Sequence, residues 1–213
     1  MALSIAYLAV IAALASAVIS LGAYRRRSAL MRALPFVLLG VGGAAAVTAG
    51  GWALLDGLKH TQLLPLGLPW LHWHLRLDAL SGFFLAVVGL LLIAVSFYGP
   101  SYVREFADGK QPLPVLGLFT GLFAAGMLLV LLADDAFVFM VAWELMSVSS
   151  YFLVTYQHQN AANRRAGFLY LLMAHVGALA ILLGFGVLAG FGGNFTFDAM
   201  RAATLAPLWA SIA

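Results

Sequence analysis

The sequence predicts an all-α polytopic membrane protein: six transmembrane helices, a short external β-hairpin-like loop, and an N-terminus outside the cytoplasm. Three observations carry this expectation. Of the 213 residues, 64% are hydrophobic and 9% charged, with a mean hydropathy of +1.02, which lies outside the range of soluble domains. Six apolar runs reach the roughly 20 residues a helix needs to cross a hydrocarbon core about 30 Å thick. The basic residues fall between these runs and favour one side of the membrane.

The runs lie at about 2–23, 34–55, 79–98, 113–132, 135–156 and 166–190, within one membrane domain spanning 1–213. No Lys or Arg precedes the first, and its apolar stretch is too long for a signal peptide, so it reads as a retained helix despite the ALASA sequence inside it. In the second, Gly42, Ala46 and Gly50 share a face, as do Gly117 and Gly121 in the fourth. Small residues four apart let helix backbones approach closely, so both faces read as packing seams. Arg25, Arg26, Arg27, Arg32, Arg104, Lys110, Arg164 and Arg165 lie on one side, against Lys59, Arg76 and Arg201 on the other. The richer side is expected in the cytoplasm.

The loop at 56–78 contains LHWHLRL, residues 71–77, in which Leu71, Trp73, Leu75 and Leu77 alternate with His72, His74 and Arg76. Period-two alternation predicts a short strand with a wet polar face, half of a hairpin turning near Pro65 to Pro69. A metal pair at His72 and His74 lacks a nearby third ligand, and Trp70 and Trp73 read as interfacial anchors. Asp134 and Asp135 precede the fifth run, where carboxylates cap a helix N-terminus. Asp198 is expected to cap a short helix beyond the sixth run. Residues 203–213 read as the start of a seventh apolar segment.

The fifth run, FVFMVAWELMSVSSYFLVTY at 137–156, carries a carboxylate near its middle. At 1.5 Å per residue Glu144 sits about 13 Å from one surface and about 18 Å from the other. An ionised group at that depth costs on the order of 3 kcal/mol and must face other helices or water. Ser147, Tyr151 and Thr155 lie within about 60° of it on the helical wheel, and His158 extends their line into the cytoplasmic loop. Towards the other surface the same face carries Met140 and Phe137. A polar route to Glu144 from one side and an apolar seal on the other is the pattern of a proton half-channel. The alternative is a polar group that fixes helix packing, with the hydroxyls bonded back to their own helix. His175, deep in the sixth run, has three readings: a proton relay, a packed neutral histidine or a haem ligand.

Composition excludes other classes. The absence of cysteine rules out disulfides, thiolate-held iron–sulfur clusters and cysteine nucleophiles, and no cofactor or metal is expected. A net charge of +3 with arginines at membrane boundaries reads as topology, not as affinity for nucleic acid.

Three stretches together resemble the antiporter-like membrane subunits shared by respiratory complex I, membrane-bound hydrogenases and multi-subunit cation/proton antiporters. They are LRLDALSGFFLAVVG at 75–89, SFYGPSYVREF at 96–106 and VLLADDAFVFMVAWELMSVSSYFLVTY at 130–156. RRAGFLYLLMAHVGALAILLG, at 164–184, is most similar to the hydrogenase-4 component B and formate hydrogenlyase branch, with His175 in an A-H-V-G setting like that branch's. The resemblance implies that Glu144 matches the family's essential glutamate, which pairs with a lysine on a seventh helix, and that electron transfer elsewhere in a complex drives proton movement here. It implies partner membrane and peripheral subunits, a lipid bilayer and protons as the chain's company, and a multi-pass place in a prokaryotic inner (cytoplasmic) membrane. It also places the loop strand in an external β-hairpin. Family members contain two inverted helix repeats. Lys59 and Lys110 both fall in loops, so the expectation is an N-terminal part whose positive partner for Glu144, and whose second half-channel, lie outside this chain.

Overall fold

Small residues decide how the helices of this chain meet. The computed structural model describes residues 1–23, 29–69, 71–105 and 112–203. In chain order the elements are α1 (Ala2–Ala23), α2 (Ala29–Asp56), β1 (His60–Leu68), β2 (Leu71–Leu77), α3 (Ala79–Glu105), α4 (Leu113–Leu132), α5 (Ala136–Val154), α6 (Ala161–Gly192) and α7 (Phe197–Ala202). Six of these, α1 to α6, are long and apolar enough to cross a membrane. The predicted seventh segment, from 204 onward, lies outside the described residues, as do Arg25, Arg26, Arg27, Lys110 and Trp70.

Both predicted seams are contact surfaces. A Cβ built on Gly42 would stand 3.1 Å from the Ala9 carbonyl oxygen on α1, whereas one on Gly50 would stand 2.3 Å from the Gly82 carbonyl on α3. The seam on α2 therefore divides between two neighbours. A second pair, Gly43 and Gly89, approaches as closely: a Cβ on either would meet the other's carbonyl oxygen at 2.6 Å. Lipid tails are as apolar as the side chains, so such backbone proximity supplies the van der Waals contact that holds membrane helices together. On α4, Gly117 and Gly121 are buried, and a Cβ at Gly121 would meet the Ala17 backbone nitrogen of α1 at 2.6 Å.

Three helices run longer than hydropathy indicates. The α2 helix begins ahead of Pro35 and α3 continues past Pro100, where Val103 is buried in a polar last turn. The α6 helix starts at an Asn160 cap, whose side-chain oxygen accepts from Ala162 N at 2.9 Å, and its first turn carries Asn163, Arg164 and Arg165. An apolar-run criterion omits such polar ends. The helix closes on Gly193, which takes a left-handed φ of 68°.

The hairpin pairs β1 with β2 antiparallel, from His60 opposite Leu77 to Leu68 opposite Leu71, with a bulge between Leu64 and Gly67. Pro65 falls inside that bulge, where no ladder N–H is needed, so the turn lies after Leu68 instead of starting at Pro65. The predicted wet face is wet only at His72. Arg76 is buried and His74 half-buried, because the strand docks on the α4–α5 turn: Leu75 bridges Ala133, and Asp134 N donates to the His74 carbonyl at 2.9 Å. Trp73 packs against the main hydrophobic cluster and is not a free anchor. Thr196, not Asp198, caps α7, since its hydroxyl stands at the position that accepts from Ala199 N.

Candidate functional site

Asp135 starts the helix that carries the site. Its wholly buried carboxylate accepts from Val138 N at 2.7 Å as the α5 cap, and from His74 N at 2.8 Å. Glu144 follows as the ninth residue of nineteen in α5. Its Oε2 stands 3.6 Å from Nε2 of His175 on α6, the two side chains being 39% and 48% exposed. His175 Nδ1 lies 2.9 Å from the Leu171 carbonyl oxygen. A carbonyl only accepts, so Nδ1 carries a proton and Nε2 is left to face the carboxylate. With the imidazole neutral and the carboxylate ionised, two lone pairs confront each other; one added proton converts the confrontation into attraction. The geometry thus suits a site that two groups share for one proton.

One turn along α5 from Glu144, Ser147 is buried and its hydroxyl has no hydrogen-bond partner among the described residues. Beyond it, Tyr151, Thr155 and His158 line one cavity of about 400 Å³, together with Pro112, Val115, Phe152, Tyr156 and Arg164. A cavity of this size with several polar groups in a largely apolar lining admits water. Thr155 Oγ1 donates to the Tyr151 carbonyl at 2.8 Å, so its hydroxyl is bonded back to its own helix. The Arg164 guanidinium is drawn to the mouth, where Nη1 donates to the His158 carbonyl at 2.7 Å. On the opposite side of Glu144 a smaller cavity of about 240 Å³ is bounded by Leu71, Phe137, Met140, Leu182 and Phe185, with apolar walls. Glu144 and His175 thus lie between a cavity with polar groups in its lining and an apolar one.

The hairpin end of α5 carries a second set of charges. Arg76 reaches Asp78 at 3.3 Å, Asp134 at 3.2 Å and Asp198 at 3.9 Å, and Asp198 also binds Arg201 at 3.1 Å and Lys59. The hydrogen bond from Lys59 holds the Asp198 carboxyl below its ordinary range. Burial pushes Asp134 above it, against the pull of Arg76. Backbone bonds reinforce the arrangement, with Ala136 N donating to the Phe195 carbonyl and Phe197 N to that of Asp134. The predicted capping role therefore belongs to Asp135, while Asp134 serves the ion network.

With this geometry in view, known proteins can be compared. Residues 133–212, which include Glu144, His175 and most of the cavity lining, match the family model described as NADH:quinone oxidoreductase/Mrp antiporter, TM. Over this stretch the chain is similar to the antiporter-like membrane subunits. Hydrogenase-4 component B of Escherichia coli is 38% identical over 137 residues, 64% of this antiporter-like chain and 20% of the relative. The chain therefore spans about a fifth of that relative's length. Its fold is also that of a chain in the Mrp complex from Dietzia sp. (TM-score 0.77, 22% identity, 97% of this chain and 22% of that one). A chain of respiratory complex I from Thermus thermophilus is similar as well (TM-score 0.68, 22% identity, 96% of this chain and 41% of that one).

One feature of this antiporter-like chain escapes the sequence reading. The buried residues of α6 are Gly167, Ala178 and Ala189, a seam of small residues recurring every eleven positions, three helical turns apart. Its signal is the eleven-residue spacing, which other small residues on the helix, such as Ala174 and Gly177, obscure.

Proposed function

We propose that this antiporter-like chain carries protons through the membrane as part of a multi-subunit oxidoreductase complex of the membrane-bound hydrogenase or complex I type. Glu144 and His175 hold the transferable proton, and Ser147, Tyr151 and Thr155 line its access from the cytoplasm. The carrying observation is the 3.6 Å approach of His175 Nε2 to Glu144 with Nδ1 committed to Leu171. The cavity at Tyr151, Thr155 and His158 supports water reaching most of the distance to that pair, and the unpartnered Ser147 hydroxyl supports a further water between them. The apolar cavity beyond Glu144 supports a seal on the other side. In this reading the N-terminus lies outside the cytoplasm of a prokaryotic inner membrane, the loops with more arginine face inward, and a partner segment outside the described residues supplies the positive charge that moves the proton on.

Glu144→Gln keeps the shape of the side chain and removes its proton. In vesicles holding the assembled complex it should lower redox-driven proton transport by about a hundredfold or more, with subunit abundance and electron transfer retained. Transport at the native rate would sink the proposal. The likeness to the Mrp complex favours a second reading, a cation/proton antiporter subunit without redox partners. Sodium-dependent proton exchange in the absence of an electron donor would select it.

A further inference from the structure

We propose that Gly167 is the positioning residue of the proton-access route: its missing side chain lets α6 lie against the Tyr151–Thr155 edge of α5 and so sets the shape of the route. This assignment rests on the reading of Glu144 as a proton carrier reached through that cavity. A Cβ built on Gly167 would stand 2.2 Å from Thr155 Cγ2 and 3.4 Å from Tyr151 Cε2, and both of those residues line the cavity. Tyr151 stays at ordinary contact distance, whereas Thr155 must move, and not without consequence. Thr155 is the C-cap of α5, and its Oγ1 donates to the Tyr151 carbonyl; turning Cγ2 away rotates that hydroxyl out of its bond, since a β-branched side chain has few χ1 positions. The Tyr151 ring is held edge-on to Phe152, with centroids 5.3 Å apart at 68°.

The alternative to a rotated Thr155 is a displaced helix. Gly167 is the first residue of the small-residue seam on α6, and His175 lies eight positions further along the same helix. Lifting α6 at Gly167 widens the gap between His175 and Glu144, and proton transfer is sensitive to donor–acceptor separation. One glycine thus governs both the access wall and the distance across the proton-sharing pair, without touching the proton.

The test uses the assembled complex in membrane vesicles and compares Gly167→Ala, Thr155→Ser and the double variant. Serine lacks the Cγ2 that collides and keeps the hydroxyl. Gly167→Ala should lower proton transport by about tenfold to a hundredfold with subunit abundance unchanged, and the double variant should return to the level of Thr155→Ser alone. Native transport in Gly167→Ala overturns the assignment, and so does a loss that Thr155→Ser fails to rescue, whether of transport or of assembly. The two readings fail separately. Native transport in Glu144→Gln removes the carrier, whereas native transport in Gly167→Ala with Glu144→Gln inactive removes only the positioning role.

Discussion

The chemistry open to Glu144 and His175 depends on which nitrogen of the ring faces the carboxylate. Nδ1 is tied to Leu171, and Nε2 is left as the only ring atom able to exchange a proton with Glu144. Glutamine in place of His175 offers an amide at similar reach but cannot accept and release a proton. His175→Gln is therefore expected to slow transport by at least about tenfold and to alter its pH profile, while His175→Leu should do the same without loss of the complex. Transport rates measured between mildly acid and mildly alkaline pH check this, and an unchanged profile in both variants would leave His175 a packing residue. At this scale the sequence was readable for Glu144, because a lone carboxylate in an apolar run announces itself. Its nearest described charge partner was not readable: α5 and α6 meet through packing that no periodicity in either helix encodes alone, and the sequence leaves three readings of His175 open.

Among the elements, the glycine contacts separate into those that meet backbone and those that meet a side chain. A Cβ at Gly50 would strike the Gly82 carbonyl, which cannot rotate away, whereas one at Gly167 strikes a side chain. Gly50→Ala is thus expected to weaken α2–α3 packing by about 1–3 kcal/mol, read as a lower midpoint in thermal or detergent-induced unfolding, with no rescue by substitutions on α3 side chains. The helices themselves were legible from hydropathy to within a residue at α1 and α4, whose ends coincide with the ends of their apolar runs. The ends of α2, α3 and α6 were not, because prolines and arginines there are tolerated where a helix leaves the hydrocarbon. The strand was legible from its alternation, but its wet face was misread: burial of Arg76 follows from three carboxylates contributed by separate loops and by α7, and a local pattern contains no information about them.

Across the whole chain, Arg76 is the point where hairpin, α3, α5 and α7 converge. Arg76→Met leaves buried Asp134 without its cation and should cost about 3–5 kcal/mol, visible as faster hydrogen exchange at residues 60–77. Acid should act on the same junction through Asp198. Its folded-state pKa is depressed below 3.8 by Lys59, so its contribution is fully present above that value and is lost as the pH falls through the lower, folded one. Exchange in the hairpin should therefore rise in that acid window; Asp198→Asn should reduce the pH step while raising the baseline, since the Asp78 carboxyl also lies below its ordinary range. The other end of the molecule holds α6 quite differently. Its 32 residues extend about 48 Å, well beyond a hydrocarbon core of about 30 Å, and its buried residues are three small ones. Such a helix accommodates its excess length by leaning. The lean that a given bilayer imposes acts on a seam with Gly167 near one end and His175 between its first two members, so the thickness of the lipid itself bears on the separation of His175 from Glu144.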